Sequence, residues 1–268
     1  MLNEVEAAFD PRGGGASGMK KTFDLRADEV KVFWLSLSLP PEGLALAYQV
    51  LSNAEKTRTQ RFWQAHDQRR RIACWGQVRW LLGLALNLPP QALKFVRGRW
   101  GKPYLEGNQE LEFNFSHAED RMVLAVSLGR EVGVDLEMVR PLADLERLAR
   151  RCLAPSEWKR WQELAVEERL VAFLRFWTRK EALAKASGLG LSLGVRRLVF
   201  GLSGGPVAVP EALAPAESWT IREWGEKDYC AALCVRPGGF RIAECALTPD
   251  WMLKARQLEA LALLQESG

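Results

Sequence analysis

Histidine is nearly missing from this chain, with two in 268 residues, and the five cysteines (Cys74, Cys152, Cys230, Cys234 and Cys245) form no Cys-x-x-Cys pair. A zinc site is therefore hard to assemble, because zinc is held by closely spaced imidazole nitrogens and thiolates. The thiols read as reduced, which points to the cytoplasm. Long hydrophobic runs are missing too: the longest, such as Leu81 to Leu88, fall well short of the roughly 18 residues a membrane span requires. The N-terminus shows no apolar segment like that of a signal peptide, so nothing points to export. Charge is only mildly one-sided. A net +4 does not establish nucleic-acid binding, though it favours an anionic ligand or an acidic protein partner.

What is present is an ordinary globular balance, 48% hydrophobic and 26% charged, enough to bury a core as one or two domains. Residues 1–20 include Pro11-Arg12-Gly13-Gly14-Gly15, a stretch that cannot pack a core and reads as a disordered tail. Strand-like patterning from Val30 to Leu39 ends at Pro40-Pro41, before a helix through Val50. Ser52 offers an N-cap to the basic stretch from Lys56 to Phe62. From His66 to Leu86 the apolar residues Ile72, Trp75, Val78, Leu82 and Ala85 recur at helical spacing, with Arg69, Arg70, Arg71 and Arg79 on other faces. Short strands follow over Leu93–Arg97, Leu111–Ser116, Met122–Ser127 and Val132–Glu137, then helices from about Leu142 to Ala186. Strands return over Leu198–Leu202, Ser218–Trp224, Tyr229–Val235 and Phe240–Ala246, and the segment from Pro249 to Glu266 reads as a helix. Helices and strands in both parts predict an α+β architecture dividing near Leu128-Gly129-Arg130, into an N-terminal half (21–130) and a C-terminal half (131–268).

Two segments carry the chemistry. In Gly133-Val134-Asp135-Leu136-Glu137 the strand period of two puts Asp135 and Glu137 on one face, while Val132, Val134 and Leu136 supply a buried face behind them. In Trp177-Thr178-Arg179-Lys180-Glu181-Ala182-Leu183-Ala184-Lys185 the i,i+4 spacing brings Glu181 and Lys185 together on a helix. Read separately, the first is the solvated face of a strand and the second a helix-surface salt bridge. Brought together, they give three carboxylates and an ammonium, which suits Mg²⁺ with phosphate oxygens and a departing phosphate. Two further segments are Gly101-Lys102-Pro103, in which Lys102 is placed to meet a phosphate, and Phe113-Asn114-Phe115-Ser116-His117. Adjacent Ser116 and His117 in a strand point to opposite faces, which argues against a nucleophilic serine. The basic stretch Lys56, Arg58, Arg61, Arg69, Arg70, Arg71 and Arg79, interleaved with Phe62, Trp63 and Trp75, reads as a solvated face, an RNA surface or a polyphosphate site. A Mg²⁺-dependent nuclease or phosphatase and a non-catalytic RNA-binding module both remain open on these residues alone.

In this order, Gly101-Lys102-Pro103, Phe113 to His117, Gly133 to Glu137 and Trp177 to Lys185 resemble the successive motifs of the 4′-phosphopantetheinyl transferase superfamily, in its longer, Sfp-type members. The resemblance spans about residues 30 to 245, and Asp67-x-x-Arg70 after Phe62 is similar to the family's first helix. It implies two pseudo-symmetric halves, each a small antiparallel sheet packed with a long helix, and an active site in the cleft between them. It also implies coenzyme A as co-substrate, Mg²⁺, an apo acyl or peptidyl carrier protein as partner, no nucleic acid or membrane, and a cytoplasmic monomer. By motif position, Asp135, Glu137 and Glu181 would hold the metal, and Lys185 would contact phosphate near the scissile bond. Lys102, Pro103, Ser116 and His117 would hold the nucleotide and its phosphates, and Lys56, Arg58 and Arg70 would lie on the 3′-phosphate side. Glu157 matches a family glutamate that orients catalytic groups or complements its helix dipole, although Ala154 stands where Ser or Thr would complete a capping box.

Overall fold

A computed structural model describes residues 25–108, 110–225 and 227–266; the tail expected over residues 1–20 lies outside them. In chain order the elements are β1 (Glu29–Ser36), α1 (Pro41–Gln49), α2 (Asn53–Thr59), α3 (Ala65–Leu86), β2 (Phe95–Arg97), β3 (Pro103–Leu105), β4 (Leu111–Ala118), β5 (Arg121–Leu128) and β6 (Val132–Met138). Next come α4 (Leu145–Cys152), α5 (Pro155–Gln162), α6 (Val166–Ala186), β7 (Val199–Phe200), β8 (Pro206–Ala208), β9 (Thr220–Gly225), β10 (Tyr229–Val235), β11 (Arg241–Ala246) and α7 (Trp251–Glu266).

The α+β, two-halved expectation holds. One sheet runs β11-β1-β5-β4 and a second runs β6-β10-β9, and the long helices α3 and α6 each close one of them. Phe33, Leu35, Leu81, Phe113 and Leu124 pack around α3, and Phe173, Phe176, Leu183 and Cys234 pack around α6. A third cluster joins the halves: Val30, Val32, Val123 and Ala125 meet Val132, Val134, Leu136 and Leu233. The face of β6 read as buried is therefore the seam between the two sheets. Where β4 runs beside β6, the Val134 N–H donates to Asn114 Oδ1 at 2.9 Å, so a side chain satisfies backbone that has no ladder partner there.

The structure corrects three expectations. Residues 241–266 do not belong with the C-terminal half. β11 pairs parallel with β1, from Glu29 opposite Arg241 to Trp34 opposite Ala246, and Trp251 and Met252 of α7 enter the N-terminal core. The physical cause is an open edge: β1 has β5 on one side only, and the returning strand covers the other. That sheet is consequently mixed. Arg79 is not part of a basic surface; it is 2% exposed and donates to Glu55 Oε2 and to the carbonyls of Pro90 and Leu93, each at 2.9 Å. Glu55 is meanwhile fixed by a capping box with Ser52, which turns an i,i+3 sequence signal into one wall of the core. All five cysteines are free thiols.

Candidate active site

Gly133 sets the spacing of the site. A Cβ at this position would land on the Ala182 carbonyl and the Ala186 amide, so glycine alone allows α6 to lie directly on β6. The face of β6 that carries Gly133, Asp135 and Glu137 is thereby covered by α6 rather than by solvent. Residues 177, 181 and 185 of α6 form one stripe along that contact. At one end the Trp177 indole N–H donates to Glu137 Oε1 at 3.2 Å. At the other, Lys185 Nζ lies 2.6 Å from Asp135 Oδ1 and also donates to Ser116 Oγ at 3.0 Å and the Val134 carbonyl at 3.2 Å. Ser116 donates in turn to Asp135 Oδ1 at 2.9 Å. The two halves thus meet on one carboxylate.

The electrostatics set this cluster apart. Burial, the Asp135 charge and the Glu137 charge push the Glu181 carboxyl up to about 7, against a partial pull from Lys185. Glu137 is also raised, first by burial and then by Asp135, with the Trp177 hydrogen bond opposing. Asp135 Oδ2 is buried with no hydrogen-bond partner. A buried oxygen without a donor is costly, and hard carboxylate oxygens that repel one another are what a hard divalent cation relieves. The residues therefore fit Mg²⁺, although among the described residues no three His, Cys, Asp or Glu side chains form a ready metal shell; Lys185 is the cation now on Asp135.

Beside the cluster opens a cavity of about 350 Å³, lined by Phe62, Asp67, Arg70, Arg71, His117, Ala118, Glu119, Glu137, Met138 and Arg140. Glu137 joins it to the carboxylates. Burial and then the cations Arg71, Lys185 and Arg70 hold the His117 pKa below its ordinary value, so the ring is neutral near pH 7. Arg71 is lowered by burial and crowded by Arg97 and Arg58.

Of the residues picked from sequence, the structure brings together Asp135, Glu137, Glu181, Lys185, Ser116, His117 and Arg70. Ser116 and His117 do point apart, the hydroxyl to Asp135 and the ring to the cavity. Arg58 lies near Arg71, and Lys56 packs on the Tyr48 ring at 5.0 Å, away from the lining. Pro103 begins β3 opposite Arg97. Lys102 does not reach the cavity. Its side chain is 6% exposed beside Glu112, and Nζ donates to Glu112 Oε2 at 3.1 Å and to the carbonyls of Val132 and Ala186 at 3.2 Å. Three bonds exhaust an ammonium's donors. Glu157 is also elsewhere: fully buried, it pairs with Lys180 at 2.7 Å and accepts from the Ala154 and Phe200 N–H groups at 2.7 Å. The half capping box on Ala154 is real, and the second oxygen ties α5 to β7. Trp177 opens the helical motif but was given no role there, and Glu119 and Arg140 were not picked as site residues; nothing local marks these two, because each acts through a partner distant in sequence.

Residues 131–234 match the 4′-phosphopantetheinyl transferase superfamily, and residues 40–129 match the N-terminal region described as 4′-phosphopantetheinyl transferase, N-terminal. The chain is 34% identical over 219 residues to the 4′-phosphopantetheinyl transferase HetI of Nostoc sp., covering 81% of this chain and 90% of that protein. It is 37% identical over 113 residues to the 4′-phosphopantetheinyl transferase AcpT of Escherichia coli, covering 41% of this chain and 57% of that one. With a Bacillus subtilis 4′-phosphopantetheinyl transferase it shares 29% identity over 157 residues, 59% of this chain and 68% of that one. On this evidence the chain belongs to the 4′-phosphopantetheinyl transferase superfamily and is an enzyme of that group.

Proposed function

We propose that the protein moves the 4′-phosphopantetheine group of coenzyme A onto a serine of an apo acyl or peptidyl carrier protein, releasing adenosine 3′,5′-bisphosphate, with Mg²⁺ at the carboxylate cluster. The observation that supports this most is the meeting of Asp135, Glu137, Glu181 and Lys185 across β6 and α6, with a buried Asp135 oxygen left unpartnered. Asp135, Glu137 and Glu181 would hold the ion, which supplies charge neutralisation and polarises the pyrophosphate when bound. Glu181 accepts the serine proton directly or through water. Lys185 stabilises the departing phosphate oxygen. Ser116 keeps Lys185 and Asp135 in register, and Trp177 orients Glu137. Arg71 and His117 face the phosphates, with Arg70 and the neighbouring Arg58 toward the 3′-phosphate. The nucleophile comes from the partner, so this chain needs no activated serine or cysteine of its own. We read the enzyme as a cytoplasmic monomer; among the described residues no helix is long and apolar enough to cross a membrane.

The test is the intact mass of a panel of apo carrier proteins after incubation with the enzyme, coenzyme A and Mg²⁺, with EDTA as control. A gain of one phosphopantetheinyl unit that EDTA abolishes is expected. No gain on any carrier, together with no binding of coenzyme A, would return a phosphoester hydrolase to the front.

A further inference from the structure

At the cavity mouth stands a residue that its own backbone disfavours. Ala118 pairs with Arg121 as the last rung between β4 and β5, leaving Glu119 and Asp120 as a two-residue turn. Glu119 has φ 51°, a left-handed conformation in which glycine, asparagine and aspartate are the usual occupants of such turns. From there its carboxylate reaches two arginines of different halves. Oε2 accepts from Arg70 of α3 at 3.0 Å, and Oε1 accepts from Arg140, just past β6, at 3.1 Å. Arg70 donates also to Asp120 Oδ1 at 2.8 Å.

The charges around the cavity are balanced. Arg70, Arg71 and Arg140 line it against Asp67, Glu119 and Glu137. A polyphosphate entering this space meets no surplus of positive charge while Glu119 is in place. The pairs are nevertheless easily exchanged, because the side chains of Glu119 and Arg140 are 47% and 68% exposed and water competes for them. A phosphate offers the same arginines more charge and more acceptor oxygens.

We propose that Glu119 is a built-in competitor for the anionic ligand of this cavity, occupying Arg70 and Arg140 until a phosphate displaces it. It thereby sets the affinity of the site. The inference rests on the coenzyme A reading above, and calorimetric titration of coenzyme A separates the two. E119Q keeps the shape and removes the charge; E119G removes the side chain and relieves the turn. Both are expected to bind coenzyme A about three- to tenfold more tightly than the wild type at low salt, with the gap closing as salt rises. Equal affinity in all three proteins would overturn the proposal while leaving the coenzyme A reading intact. Weaker binding by E119Q would overturn it too, by making Glu119 a bracket that holds the arginines for the ligand. Absence of binding in all three would remove the coenzyme A reading, and the competitor with it.

Discussion

Helix α6 carries two lysine–carboxylate pairs of nearly equal length and opposite character. Lys180 and Glu157 meet at 2.7 Å with both side chains wholly buried, and every acceptor and donor is matched: Lys180 donates to the Val195 carbonyl at 3.0 Å and the Leu198 carbonyl at 2.6 Å. Lys185 and Asp135 meet at 2.6 Å, but the lysine is 27% exposed and Asp135 keeps an oxygen with no partner. The first pair is closed and can only hold α5, α6 and the start of β7 together. The second is open to one more ligand. An ion pair's length thus says little about its role; what remains unsatisfied around it says more.

The contrast can be broken most directly at Asp135. D135A is expected to lower kcat by about 10³-fold or more while thermal denaturation and circular dichroism stay near wild type; retained turnover at saturating Mg²⁺ would remove the cluster from the chemistry. At the closed pair, E157Q should reduce stability by about 3–5 kcal/mol, because one amide oxygen cannot serve the Ala154 and Phe200 amides and Lys180 together. Its kcat per folded molecule should fall only a few-fold. If E157Q instead lost turnover with an unchanged denaturant midpoint, Glu157 would have to be counted with the catalytic groups. Lys102 offers a third, intermediate case. K102M should cost roughly 2–3 kcal/mol, since Glu112 is only partly buried, and leave the KM for coenzyme A nearly unchanged; a KM raised tenfold at constant stability would restore Lys102 as a phosphate ligand.

The smallest expected effect concerns protons. In the free enzyme His117 is held below its ordinary pKa by burial and by Arg71, Lys185 and Arg70. A phosphate facing the ring favours the imidazolium, so binding takes up a proton and affinity rises as pH falls. Between about pH 8 and pH 6, coenzyme A affinity should increase a few-fold. The trend should flatten in H117N, and an identical slope in that variant would assign the proton uptake to another group.

Much of the scaffold was legible because its signals are local. Tyr229–Val235 carries strand propensity along its whole length and is β10 as read. The acids of β6 share a face because a strand alternates, and Glu181 and Lys185 share one because a helix repeats at four. Buried charges were not legible in this way. Arg79, Lys102 and Glu157 look in sequence like the surface residues around them, and what buries them is partners brought by the fold: Glu55, then Glu112 with the Val132 and Ala186 carbonyls, then Lys180 with the Phe200 amide.

The sequence by itself determined the elements, the stripe of Glu181 and Lys185 and the paired acids, since periodicity acts over a few residues. Only the tertiary structure decided that β11 and α7 return to the N-terminal half, that Lys102 is a clasp, and that Glu119 bridges Arg70 and Arg140. Those outcomes depend on which open edge, unmatched charge or cavity lies opposite, and only three-dimensional packing sets that.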